Sequence, residues 1–383
     1  MKNNSAYDVI IVGGGIVGLS IALAEAKKSK TVAIFERHPQ AVGASVRNFG
    51  MVWPIGQPAG NLFDRAMRTR ETWLDISRQT GMWARPVGSL HLAYSEDEMA
   101  VLEEFVNTTQ GAGYQYNLAN AANVKSVSRV ARTEGLVGAL WSETEVNIHS
   151  RLAIQMVADY LKKKYQVDFY NNTVITELDF PYAYTFDDEF EAYEQIYICS
   201  GTDFETLYPS VFKQSGITKC KLQMLSTVSQ GEDFDMGAML CGGLTLTHYG
   251  AFQHCKTLKA LNERFEKEEP RYKEYGIHVL LSQNSWGQLI IGDSHEYGLH
   301  VDPFDKEEIN DLILHYLKTF ADISHLKMAD RWHGVYSKLS GETEFVFQPE
   351  DGITIVNALS GAGMTLSFGL AEEIVNERIA QYS

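Results

Sequence analysis

Gly13, Gly15 and Gly18 have the spacing Gly-x-Gly-x-x-Gly, and a carboxylate, Glu36, closes the next apolar run. Between a strand and a helix each glycine answers a separate need. Gly13 permits a tight turn, Gly15 lets the backbone approach a pyrophosphate, and Gly18 lets helix and strand pack closely. Ile16 and Val17 then open a helix whose free N–H groups and positive dipole end suit phosphate. Glu36 would accept hydrogen bonds from ribose hydroxyls, with Arg37 beside it. By itself this arrangement fits FAD or NAD.

Three further features favour FAD. After Glu36 the chain enters "SVRNFGMVWPIGQPAG", Ser45 to Gly60, a loop with a charge, an amide and a tryptophan where a nicotinamide fold would continue into a third regular strand. "QIYICSGTDF" is a buried strand that ends in Gly201 and can return to the adenosine, with Val174 in the segment before it. Gly361, Gly363, Met364 and Thr365 open the last helix, whose N-terminus would stabilise negative charge at N1–C2=O of a reduced flavin.

Other residues could act on a substrate. In "RWHGVYSK" an alternating strand puts Trp332, Gly334, Tyr336 and Lys338 on one face. Gly334 leaves a slot for a flavin edge, and Tyr336 and Lys338 would then point to substrate, unless Lys338 is a solvated strand-end lysine. His333 on the other face reads as a packed histidine. His248 ends the apolar face of "LTLTHYGAF", as a pocket residue or a core one. His295 and Glu296 in "GDSHEYG" could bind an amine or take a proton, or form a charged turn capped by Asp293.

These residues need elements to carry them. Tyr7–Gly13, the helix after Gly18 and Thr31–Glu36 make a β-α-β unit. Helical spacing covers Arg65–Gln79, the segment "EDEMAVLEEFVNTT", Arg151–Lys164, Leu258–Tyr275 and Asp305–Phe320. Short strands are expected at 167–170, 173–178 and 195–199. "KLQMLSTV", "GGLTLTHYGAF", "GIHVLLSQ" and "GQLIIGDS" read as strands of an antiparallel sheet. The chain ends in α/β style. The fold class is therefore α/β, with two interleaved domains. Residues 1–85, 145–215 and 325–383 form a Rossmann-type nucleotide-binding domain, and 86–144 and 216–324 an antiparallel-sheet substrate domain.

Composition bounds the rest. The 383 residues carry a net charge of -16, which disfavours nucleic-acid binding. No apolar run approaches the roughly 20 residues of a membrane helix, and no secretory signal is read at the N-terminus. The four cysteines, Cys199, Cys220, Cys241 and Cys255, form no Cys-x-x-Cys pair. That removes a redox disulfide, offers no zinc site, so no metal is expected, and fits a reducing cytoplasm.

"VIIVGGGIVGLSIALAEAKKSKTVAIFE", "GASVRNFGM", "YICSGTDF", "RWHGVYS" and "NALSGAGMTLSFGLAEEI" resemble the D-amino-acid-oxidase-like family of FAD-dependent oxidoreductases, which includes glycine oxidase, sarcosine oxidase and D-amino-acid dehydrogenases. The resemblance covers roughly residues 7–52, 145–202 and 331–378. Within the family, "RNFGMVWPIGQP" and "GDSHEYG" look most like a branch proposed to oxidise aminophosphonates. The resemblance implies a glutathione-reductase-like FAD-binding domain roofed by the sheet of the substrate domain. It implies hydride transfer from a C–H beside the amine of a small substrate to flavin N5, giving an imine that hydrolyses, with electrons passing to oxygen or a quinone. Ser45, Arg47 and Asn48 would contact pyrophosphate, ribityl or ring edge, with Arg47 alternatively an anchor for an anionic substrate, and Gly50 and Met51 would lie against the ring. Relatives that hold flavin through a cysteine near "RWHGVYS" differ from this chain, which has no cysteine after Cys255, so non-covalent FAD is implied. Tyr336 stands where glycine and D-amino-acid oxidases place a carboxylate-binding arginine. A flavin-dependent 2-hydroxy-acid dehydrogenase or a non-catalytic flavin-binding protein would share the same fold.

Overall fold

The computed structural model describes residues 5–382. Strand Ser5–Val12 lies at the centre of an eight-stranded sheet. It is parallel to Val32–Glu36 on one side and to Glu189–Ile198 on the other, and these are parallel in turn to Asp168–Asn171 and Ile353–Asn357. Alternation sorts the side chains. Val9, Ile11, Ile34 and Tyr197 pack under helices Ile16–Lys27, Ser150–Tyr165 and Gly363–Tyr382, while Ile10, Ala33, Phe35 and Ile196 pack against Phe190, Phe204 and Phe212 on the opposite face. A sheet covered on both faces explains why its strands are apolar runs without a polar side.

The second sheet has nine strands and the largest core. Thr218–Thr227 pairs with Met328–Lys338, Leu289–Gly292 and Glu296–Gly298, all antiparallel. Ser89–Ala93 and Gly138–Ser142 join the same sheet from far back in the chain. The expected all-antiparallel order fails at one pair, since Met239–Cys241 runs parallel to Ser89–Ala93. Strand Met328–Lys338 belongs to this sheet by its hydrogen bonds, although the sequence grouping puts 325–383 with the nucleotide part.

Three strands, Met51–Val52, Val146–Ile148 and Ala84–Pro86, make a small sheet of their own. Gly50 makes the close approach possible. Its φ is +71°, and a Cβ there would stand 1.7 Å from the Ile148 carbonyl oxygen.

Other expectations change in detail. "LTLTHYGAF" is not a strand but two 3-10 turns, Gly243–Thr247 and Gly250–Phe252. Packing overrides the alternation. A Cβ on Gly243 would fall 2.2 Å from Glu98 Oε1, and the Leu244 N–H donates to the Tyr316 hydroxyl at 2.9 Å. His248 therefore does not share a strand face with Leu244 and Leu246. Pro270 divides the expected helix over 258–275 into Leu258–Glu268 and Pro270–Glu274. In 173–178 only the end is strand, Glu177–Asp179, in a hairpin with Tyr182–Tyr184. Among the described residues no helix is long and apolar enough to cross a membrane.

Candidate active site

One cavity of about 730 Å³ runs between the two sheets. At one end is the glycine turn. Gly13 has φ +109°, and a Cβ there would meet the Cys199 carbonyl oxygen at 2.3 Å; a Cβ on Gly18 would meet the Gly13 carbonyl oxygen at 2.0 Å. Gly18 is thus a packing residue away from the cavity wall, while Gly13, Gly15, Ile16 and Val17 line it. Glu36 is buried, and its two oxygens accept the N–H groups of Gly14 at 2.9 Å and His38 at 3.0 Å. Each carboxylate oxygen keeps a further lone pair for a hydroxyl. Arg37 pairs with Asp203, and Val174 and Gly201 line the same end.

The loop after Glu36 is built around Asn48. Its Nδ2 donates to the carbonyls of Ala44 and Ser45, both at 2.9 Å, and its Oδ1 accepts the Gly50 N–H at 2.8 Å. Ser45 Oγ accepts the Ile16 N–H at 3.0 Å, at the helix N-terminus. Arg47 lines the cavity and donates to the His333 carbonyl at 3.3 Å. Met51 lines the cavity; Gly50 does not. Across from this loop, Gly361, Gly363, Met364 and Thr365 form the start of the last helix, and Thr365 Oγ1 accepts the Trp53 N–H at 3.0 Å.

Strand Met328–Lys338 closes the side of the cavity. Gly334 lies on the wall, where a Cβ would stand 3.2 Å from the Arg47 carbonyl oxygen, so the glycine admits the Arg47 loop. Trp332 is off the cavity. Its Nε1 donates to that same carbonyl at 3.3 Å and the Arg151 guanidinium lies 5.3 Å from its ring centre. His333 does not pack in a core: it is part-exposed and bonds Asp305 at 2.9 Å.

At the other end, in the second sheet, His248, His278, His295, Asp293, Tyr249, Tyr336 and Lys338 share the wall. The His248 and His278 rings stack at 3.8 Å, and His295 lies 4.7 and 5.1 Å from them. Tyr336 stands edge-on to His295 at 6.4 Å. Desolvation by the surrounding cavity walls, and then the neighbouring histidines and Lys338, push the imidazoles of His248, which is exposed to the cavity, and of buried His278 well below their usual range. Burial brings His295 down to about 4. All three are uncharged at neutral pH. Burial also holds the Tyr336 phenol protonated and raises the Asp293 carboxyl well above its usual range. Lys338 Nζ donates to the Tyr297 hydroxyl at 3.4 Å. Glu296 is drawn off into a pair with Lys306 at 2.6 Å.

The four expected substrate residues, His248, His295, Tyr336 and Lys338, therefore come together. Sequence reasoning missed His278 and gave Asp293 only a capping role. His278 lies in the apolar run "GIHVLLSQ", and a histidine interrupting such a run was the available signal. The cavity as a whole suits a dinucleotide. It offers a helix N-terminus and a buried ribose-type carboxylate at one end, and the N-terminus of a second helix midway.

The sequence model described as "FAD dependent oxidoreductase" (DAO) matches residues 8–377. Among curated proteins, one component of the anaerobic glycerol-3-phosphate dehydrogenase of Escherichia coli (strain K12) is 28% identical over 112 residues, 29% of this chain and 21% of that protein. The match thus spans about a fifth of that relative's length. Glycerol-3-phosphate dehydrogenase 1 of Mycobacterium tuberculosis (strain ATCC 25618 / H37Rv) is 47% identical over 45 residues, 12% of this chain and 9% of that one. Solved structures align along nearly the whole chain. Glycine oxidase from Geobacillus kaustophilus has a TM-score of 0.77 at 19% identity, covering 99% of this chain and 95% of that one. L-proline dehydrogenase from P. horikoshii has 0.78 at 18%, covering 100% and 95%. L-alpha-glycerophosphate oxidase from Mycoplasma pneumoniae, with FAD bound, has 0.74 at 16%, covering 97% and 94%. At these identities the structures speak for the fold.

Proposed function

The chain belongs to the DAO family of FAD-dependent oxidoreductases, and we propose that it oxidises a small amine or amino acid that carries an anionic group. Bound FAD supplies a hydride acceptor; the protein's residues hold it and the substrate. The N–H groups of the turn at Gly13–Val17 would hold the pyrophosphate, Glu36 the ribose, and Arg37, Val174 and Gly201 the adenosine end. Ser45, Arg47 and Met51 would follow the cofactor along the cavity. The N-terminus of helix Gly363–Tyr382 would face the flavin ring, where its dipole favours negative charge.

The observation that carries the substrate assignment is the chemistry of the far end of the cavity. Its histidines are uncharged and Lys338 is the cation on that wall. Such an end accepts an amine in its neutral form, which is the form that can lose hydride, and holds an anion beside it. Tyr336, kept protonated, is a hydrogen-bond donor to the same group. Electrons would leave to oxygen or a quinone, and the imine would hydrolyse.

A second reading has an observation of its own, the glycerol-3-phosphate dehydrogenases among the curated relatives. On that reading the oxidised carbon bears a hydroxyl and the anion is a phosphate. Anaerobic stopped-flow reduction of the bound flavin separates the two. Amino acids, N-methyl amines and aminophosphonates would be compared with 2-hydroxy acids and glycerol phosphate. Bleaching by an amine is the expected result; bleaching by hydroxyl compounds alone would overturn the amine reading.

A further inference from the structure

Three histidines from three separate segments meet at the far end of the cavity. His248 follows the 3-10 turn Gly243–Thr247, His278 precedes strand Leu280–Gln283, and His295 follows strand Leu289–Gly292. One ring nitrogen from each lies within 4.8 Å of the others. Two of the rings are fixed from behind. His295 Nδ1 donates to the Gly276 carbonyl at 2.9 Å, so Nδ1 carries the proton and Nε2 the lone pair. His278 Nε2 stands 3.3 Å from Asp293 Oδ1, and its Nδ1 is buried without a partner. Asp293 Oδ1 is itself buried without a hydrogen bond. A buried carboxylate oxygen and a buried imidazole nitrogen both left unsatisfied are costly, and a cation beside them removes that cost.

We propose that His248, His278 and His295 bind one divalent transition-metal ion, supported by Asp293 behind His278, with an open coordination position toward the cavity. The donor set selects the ion's class. Neutral imidazoles suit Zn²⁺ and its neighbours, whereas Mg²⁺ and Ca²⁺ require oxygen ligands. Three protein ligands with a free position is the arrangement of catalytic zinc sites. Ligand nitrogens about 2.0–2.1 Å from a tetrahedral ion lie roughly 3.4 Å apart, so the rings must turn inward from their present separation. His248 has the room, being exposed on the cavity wall beyond a short turn. Lys338 opposes a second cation here, and Asp293, whose carboxyl burial pushes well up when no ion is beside it, offsets at most one charge once the ion binds. The free position is therefore completed by an anionic oxygen, a carboxylate or phosphoryl group of the substrate. That last step rests on the substrate reading above; the ligation itself does not.

The test uses the purified protein with its FAD. After chelator treatment and dialysis, Zn²⁺ is titrated by calorimetry, and retained metal is counted by elemental analysis. One ion per chain is expected. His248→Ala and His278→Ala should each weaken it by about 100-fold or more, and Asp293→Asn by about 10- to 100-fold. His333→Ala, outside the cluster, should bind as the wild type. FAD content, read by absorbance, shows that each variant is folded; His248→Ala, altering the exposed ring, keeps the comparison available if His278→Ala fails to fold. A fully flavinated wild type that holds no more zinc than His248→Ala overturns the proposal. Zinc held by the histidines with no flavin reduction by any amine upholds the metal site and overturns the substrate reading instead.

Discussion

Gly50 and Lys338 show how single residues can be tested for separate roles. Gly50 has no face on the cavity, yet its positive φ and its contact with the Ile148 carbonyl leave no space for a side chain. Gly50→Ala should cost about 1–3 kcal/mol from backbone strain alone, and more from the clash, seen as a lower midpoint in denaturant unfolding. Lys338→Met should leave stability nearly unchanged. The loss of a hydrogen bond to a charged group is worth about 1.5–3 kcal/mol, so kcat/KM for an anionic amine should fall roughly 10- to 100-fold. Steady-state kinetics against an uncharged amine of similar size, which should lose little, checks the assignment. If both substrates fall equally, Lys338 does not hold the anion.

At the scale of elements, strand Ser89–Ala93 carries a testable pH dependence. His91 is buried in it with both ring nitrogens unpartnered, packed against Trp53 at 5.6 Å and Phe252 at 5.4 Å. Burial pushes it down to about 3. The unfolded chain then binds a proton that the folded one refuses, from the usual histidine value near 6.5 downward. Stability is full above that value and is lost as pH falls from about 6.5 toward 3. His91→Phe should make this acid limb shallower by one proton's share, the depressed cavity histidines supplying the rest, measured by urea unfolding across the range. A variant with the wild-type slope would remove His91 as one of its sources. Apolar Leu90 and Leu92 alternate with Ser89, His91 and Ala93, a strand-like spacing, but all five residues are buried. Alternation reports only one covered face, and the loop bearing Trp53 covers the other. The same limit hid the turn at His248. Leu244 and Leu246 are two apart and both buried, which a strand predicts, while the force shaping them is Glu98 and Tyr316 from elsewhere in the chain. The nucleotide end was legible because its signals are local: three glycines, a helix start and Glu36 lie within 24 residues. The histidine end was legible only in part: His248 and His295 stood out, but His278 and the meeting of the three rings did not, because they come from three segments that only tertiary packing joins.

For the whole molecule, FAD bound in the cavity between the two sheets would be a structural partner of both. FAD binds the folded chain and not the unfolded one, so at a free concentration 1,000 times its dissociation constant it should add about 4 kcal/mol of stability. Thermal unfolding with and without added FAD measures this. The shift should appear in signals from both sheets. A transition in which the second sheet melts unchanged without FAD would mean the cofactor touches the first sheet alone.

Strand Met328–Lys338 is a seam. It is hydrogen-bonded along its length to Thr218–Thr227, but its end is stitched to the other half. Ser337 Oγ donates to Asn357 Oδ1 and accepts the Ala358 N–H at 3.2 Å, and Lys338 bridges Leu359. Pulling the halves apart would tear this stitching at the root of the last helix. The molecule is therefore not a clamshell. Access to the cavity is then expected through small displacements of loops at its rim, with the end of strand Met328–Lys338 staying fixed against the root of the last helix.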